Sequence, residues 1–148
     1  MAKTFKGRVV VKGACIGEAL VSHAGFNTLA SLKTAGSFFN KKGIVIDQNN
    51  PDVYNKIITD KILCLPETIG STTGGMVFYS VAELGAAPKA LLFSKPADPL
   101  AVAGGCLIAN WSDRPFVLID NLGEEFLNTV KTGNQIEILE DGTVKISD

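Results

Sequence analysis

Residues 65–93, LPETIGSTTGGMVFYSVAELGAAPKALLF, hold the transition on which the fold turns. An aliphatic run closed by Pro66 reads as a buried strand ending in a turn. Gly74 to Leu84 then places Val77, Val81 and Leu84 at helical spacing, with Gly85 as a C-terminal stop, and Ala90 to Phe93 is a second short apolar strand. Strand, glycine-rich turn, helix and strand in that order predict an α/β domain. Gly70, Gly74 and Gly75 allow a ligand to approach the backbone, and Ser71, Thr72 and Thr73 set hydroxyls beside a positive helix terminus. An anionic substrate or an alkoxide would be stabilised there. Thr72 or Thr73 could equally serve only to cap the helix.

Outward from this stretch, Phe5 to Val11 and Ala19 to Ser22 predict early strands, and Gly43 to Asp47 (GIVID) and Lys61 to Leu65 (KILCL) predict buried ones. The intervening QNNPDVYNKIITD fits a short helix or a structured loop. Downstream, ADPLAVAGG predicts a short helix between Ala90–Phe93 and a strand at Cys106 to Ala109 (CLIA), followed by a strand at Phe116 to Ile119. Gly123 to Val130 has acids in its first turn, as a helix dipole prefers. The tail, with Asp141 and Gly142 between alternating runs, predicts a closing hairpin. No repeat or linker appears, so residues 1–148 are expected to form one domain with a mixed sheet.

The 148 residues carry 14 basic and 15 acidic side chains, a net charge of -1. No basic stripe is present, which argues against a nucleic-acid partner. No apolar run reaches the ~18 residues of a membrane span, and the first residues read as mature protein, so a cytoplasmic location and no membrane association are expected. Cys15, Cys64 and Cys106 are dispersed and His23 is the single histidine, so no metal site is expected on this chain alone.

Several other side chains have ordinary explanations. Asp47, Asp98, Asp113 and Asp120 sit where aspartates cap helices or form turns. Trp111 suits a half-wet edge or interface, and AVAGGCLIA suits close helix–sheet packing. His23, in VSHAG, is similar to the Ser-His-Ala of phosphohistidine swivelling domains, though the Gly-Gly pair expected before it is absent. A phosphohistidine carrier is therefore one alternative function, and a non-catalytic swivelling binding module another.

LPETIGSTTGG also resembles the signature of the aconitase X small domain, in which a Leu-Pro strand end leads to Gly-Ser, two small residues and a helix-opening Gly. GRVVVKGACIGEALVS, GSFF before GIVID, ELGAAPKALLF and PLAVAGGCLIAN extend the resemblance across most of residues 7 to 120. It implies a single swivelling β/β/α domain of the aconitase-swivel type, acting as the small subunit of a two-component hydro-lyase that dehydrates a hydroxylated acid. It further implies Ser71 as the catalytic base, with Gly70, Thr72 and Thr73 around the substrate, Ser37 and the adjacent Phe38 as further pocket candidates, and iron or an iron–sulfur cluster held mainly by a large partner subunit. Two substrates compete, cis-3-hydroxy-L-proline and a phosphorylated mevalonate, and the reading leans to the first. This chain has Ile69 and Thr72 where the family often carries Arg and Cys, Gly75 replaces a frequent Ser, and the region before GIVID is shortened to SFFNKK.

Overall fold

The computed structural model describes residues 2–148. Its centre is four parallel strands, β3 (Cys15–Val21), β5 (Ile62–Leu65), β7 (Ala90–Phe93) and β8 (Val117–Asp120). Every residue of β5, β7 and β8 is buried, as continuous aliphatic runs in a sheet covered on both faces must be. The connections supply the cover. From β5 the chain passes through a two-residue strand, β6 (Thr68–Ile69), and α2 (Gly74–Glu83) to β7, and from β7 through α3 (Pro99–Trp111) to β8. Each is a crossover of the kind parallel neighbours require.

The remaining strands are antiparallel. On the far side of β3 lie β9 (Gln135–Ile138), β10 (Thr143–Ser147) and β1 (Lys3–Lys6), and β2 (Arg8–Val11) pairs with β8, giving the order β1-β10-β9-β3-β5-β7-β8-β2. The edge strands β1 and β2 are adjacent in sequence, separated by Gly7 alone, so the sheet must curl until its two ends meet. A Cβ at Gly7 would stand 2.4 Å from the Asp120 carbonyl, so only glycine fits that seam.

Curling gives the sheet two apolar faces. Leu20, Leu63, Leu65, Leu91, Phe93 and Leu118 pack under the helices with Phe26, Phe78 and Ile108. The alternate residues, Ile62, Cys64, Ala90, Leu92 and Ile119, face the concave side with Ile136, Ile138 and Val144. That side is closed by Phe126 and Leu127 of α4 (Glu124–Thr129). Two cores separated by one sheet form a β/β/α domain.

The hairpin at Asp141–Gly142, the final helix and the strands flanking α2 lie where the sequence places them. Four features differ. Cys106 to Ala109 is no strand but the second half of α3, whose thirteen residues run through Gly104 and Gly105. Gly43 to Asp47 forms only an isolated bridge, Ile44 to Ile57, in a buried loop. A short strand and helix not expected from the sequence, β4 (Phe26–Asn27) and α1 (Thr28–Leu32), precede residues 48–60, which take the loop of the two forms the sequence allows. Finally, Leu84 is exposed, and α2 buries Gly74, Gly75, Phe78, Val81 and Ala82 instead.

Candidate active site

The turn between β6 and α2 is built by three local constraints. β6 pairs in parallel with β4, Phe26 opposite Thr68 and Asn27 opposite Ile69, which carries the chain outward from the sheet end. Asp98 holds it there: one carboxylate oxygen accepts from the Thr68 amide (3.1 Å) and hydroxyl (2.6 Å), and the other caps α3 through the Ala101 amide (3.1 Å). Gly70 then reverses direction at φ 97°, a left-handed conformation that favours glycine.

Ser71 follows, half-buried at the solvent boundary. Its Oγ accepts from the Thr73 amide at 3.2 Å and shares a hydrogen bond with Thr73 Oγ1 at 2.9 Å, while its carbonyl accepts from the Gly74 amide at 3.1 Å. The Thr73 side chain makes no capping bond to α2 and is turned to Ser71 instead. Thr72 is exposed. Gly70, Ser71, Thr72 and Thr73 therefore form one open turn at the mouth of a ten-residue helix, where amide dipoles favour a developing negative charge. Among the described residues no titratable side chain hydrogen-bonds Ser71, so a proton drawn onto its oxygen must be managed from outside this chain.

Two of the glycines here are closely packed. A Cβ on Gly75 would lie 2.9 Å from the Leu100 carbonyl and 3.1 Å from the Gly104 amide, so α2 and α3 touch backbone to backbone at these positions. A Cβ on Gly70 would lie 2.6 Å from Asn27 Nδ2. Ser37 is not brought to the turn. It sits beside Gly36, where a Cβ would meet Leu84 Cβ at 2.5 Å. That is the far end of α2, roughly 15 Å along its ten residues. Phe38 beside it is 79% exposed. Ile69 lies across Gly25 as an apolar cover and offers no charge.

The aspartates have structural partners. Asp120 is fully buried and accepts from Arg8 Nε (2.9 Å) and Nη2 (2.5 Å) and from the Ala97 amide (2.7 Å). Asp47 accepts from the Asn49 amide in a turn, and Asp113 lies in an exposed bend. Trp111 is exposed and packs edge-on against Tyr79. His23, just past β3, binds Asp52 through its amide and faces the same carboxylate with Nδ1 at 3.4 Å, in a shallow depression that does not include Ser71.

The cysteines do not gather. Cys64 is buried in β5, where burial pushes its thiol well above the ordinary range; Cys15 is half-buried; Cys106 is exposed on α3. Among the described residues no three His, Cys, Asp or Glu side chains converge. No described helix is long and apolar enough to cross a membrane.

Sequence reasoning missed Asn27, Thr68 and the use made of Asp98. Asp98-Pro99 carries a helix-start signal, but nothing local shows that the same carboxylate also grips β6.

Known proteins place this architecture. Residues 4–146 match the sequence model of the aconitase X swivel domain. The phosphomevalonate dehydratase small subunit of Pyrococcus furiosus is 36% identical over 105 residues, covering 71% of this chain and 72% of its own. The same-named protein of Thermococcus kodakarensis is 34% identical over 147 residues, covering 93% and 98%. The crystal structure of Thermococcus kodakaraensis aconitase X in its holo-form superposes with a TM-score of 0.79 at 31% identity over 99% of both chains. A solution structure of a UPF0107 protein, at 24% identity and TM-score 0.78 over 99% of this chain and all of that one, shares the fold. This chain belongs to the aconitase X family, as its swivel domain.

Proposed function

We infer that this domain, the small subunit of an aconitase X-type dehydratase, takes part in dehydrating a phosphorylated mevalonate, with Ser71 Oγ as the base that removes the proton next to the substrate carboxylate. The observation that carries the reading is Ser71 itself: it stands at the solvent boundary, on a turn fixed by Asp98 and Asn27, at the open end of α2. A serine hydroxyl is weakly basic. It abstracts a proton only where its alkoxide is stabilised, and the Thr73 amide, the Thr73 hydroxyl and the helix dipole supply part of that stabilisation. The rest, a cation included, must come from a large partner subunit, because Ile69 is apolar and no cation hydrogen-bonds the turn among the described residues.

The iron or iron–sulfur centre that would activate the leaving hydroxyl is assigned to that same large subunit, since no donor set gathers among the described residues. On this chain Gly70 and Thr72 shape the substrate side of the turn and Thr73 orients Ser71. The sequence leans to cis-3-hydroxy-L-proline; the Pyrococcus furiosus and Thermococcus kodakarensis relatives, both named phosphomevalonate dehydratase small subunits, favour the phosphorylated substrate.

The test is co-expression with the cognate large subunit, followed by parallel assays of 5-phosphomevalonate and cis-3-hydroxy-L-proline. Turnover of the phosphomevalonate with at least about a hundredfold preference in kcat/KM supports the assignment. The reverse preference restores hydroxyproline, and turnover of neither substrate by an intact complex refutes both.

A further inference from the structure

At the other end of the sheet from Ser71 the chain forms a second, separate cavity. β3, β5, β7 and β8 run parallel, and Ser71 follows the C-terminal end of β5. Their N-terminal ends, with the C-terminal end of α2, surround a cavity of about 360 Å³. That is within the size range of small-molecule sites.

Its wall has two chemical halves. Ala14, Ala87 and Pro115 present apolar surface over the buried Ile108, Phe116 and Val117, of which Ile108 and Phe116 belong to the helix-side core. The polar half carries Lys12, Lys89 and Arg114 against one carboxylate, Asp60. Lys12 is largely exposed and faces Glu140 at 3.8 Å. The other two cations have no carboxylate partner among the described residues. Lys89 lays its chain across Gly17, where a Cβ would stand 3.1 Å from Lys89 Cδ, and its ammonium donates to the Ile16 carbonyl at 3.1 Å. Arg114 rests its guanidinium against Gly85, where a Cβ would stand 3.0 Å from Nη2. Gly85 has φ 75° just past α2, so the guanidinium lies at the negative end of that helix with its donors still available.

Two cations held by packing rather than by counter-ions, at the rim of an apolar hollow, make a site for an anion with an apolar body. We propose that this cavity binds a small organic anion, its carboxylate or phosphate head between Lys89 and Arg114 and its short hydrocarbon portion against Ala14, Ala87 and Pro115. The site is independent of the Ser71 turn and does not rest on the reading of its chemistry.

The experiment is an amide-resolved NMR titration of the full chain with butyl phosphate, with hexanoate, and with inorganic phosphate as a head-only control. Saturable shifts at Ala14, Cys15, Lys89 and Phe116 for an organic anion are expected, and whichever organic probe binds more tightly identifies the head group. Lys89→Met with Arg114→Gln should weaken that affinity at least about tenfold at an unchanged thermal midpoint. Arg114→Gln alone, at an exposed position outside any strand or helix, should weaken it several-fold and serves if the double variant does not fold. Shifts that fail to saturate, shifts confined to residues 70–74, variant affinity equal to the parent's, or inorganic phosphate binding as tightly as the organic anions would each overturn the proposal.

Discussion

Asp98 joins two structures that the sequence keeps thirty positions apart: one carboxylate oxygen grips both the amide and the hydroxyl of Thr68, and the other opens α3. The Ser71 turn is thereby tied to the helix behind it. Asp98→Ala removes a cap and leaves the Thr68 amide without its acceptor, which should cost about 2 to 4 kcal/mol of stability. Asp98→Asn keeps an acceptor for only one of the two sides, Thr68 or Ala101, and turns its NH2 to the other, so it should recover only part of that loss. Urea unfolding of both variants measures the difference, and turnover of the assembled complex should fall in the same order.

Gly70 is constrained twice, by its backbone angle and by the Asn27 carboxamide that fills the space of a side chain. Gly70→Ala should destabilise the domain by about 1 to 3 kcal/mol from conformation alone. The contact adds to this. In Gly70→Ala with Asn27→Ala the two costs should be less than additive, because truncating Asn27 relieves the clash; a double-mutant cycle on thermal midpoints reads the coupling directly.

Where α2 crosses α3, Gly75 faces Gly104 and the Leu100 carbonyl with no room for a methyl group. Gly104→Ala should cost about 1 to 3 kcal/mol, since backbone on the other helix cannot step aside as a flexible side chain can. Gly123→Ala is the control for space, because nothing lies within 4 Å of that position and only its φ of 93° opposes the change. A Gly104→Ala variant as stable as the parent would show that the helices do not meet as described.

Thiol chemistry should follow burial. Burial raises the Cys15 thiol above its ordinary value, and the charge of Lys89 pulls it part of the way back. A raised value means less thiolate at a given pH. Alkylation of Cys15 should therefore rise with pH later than that of a free thiol, exposed Cys106 should react without unfolding, and Lys89→Met should displace the Cys15 curve further upward. Cys64, sealed in β5, should react only on unfolding. Mass-resolved iodoacetamide kinetics in a pH series checks all three sites.

The parts of the fold legible in sequence were those in which one chemical pattern had one structural meaning. KILCL and ALLF are short, aliphatic and flanked by turn residues, and they lie at the sheet centre. CLIA looked the same but is helix. A four-residue apolar run does not distinguish the two, and Gly104-Gly105, read as close packing at the end of a short helix, is a contact surface inside α3: Gly104 meets Gly75, and Gly105 packs near Val11 and Leu118. In GIVID the residues Val45 and Asp47 are indeed buried, yet the partners are a loop and a helix, with the Val45 amide donating to the Lys56 carbonyl and the Ile46 amide to the Ser31 carbonyl in α1. Burial without a neighbouring strand left the alternation without a sheet. At the site, the Gly-Ser turn and its helix could be read locally, whereas the Asp98 grip and the Asn27 contact depend on residues about thirty and forty positions distant.

Turnover by the assembled complex carrying Ser71→Ala tests the central claim most directly. The substitution removes one partly exposed oxygen, so the complex should form with unchanged mass and thermal midpoint while kcat falls by about a hundredfold or more, the scale of a lost general base. A complex that turns over at the parental rate without the Ser71 hydroxyl would contradict the account.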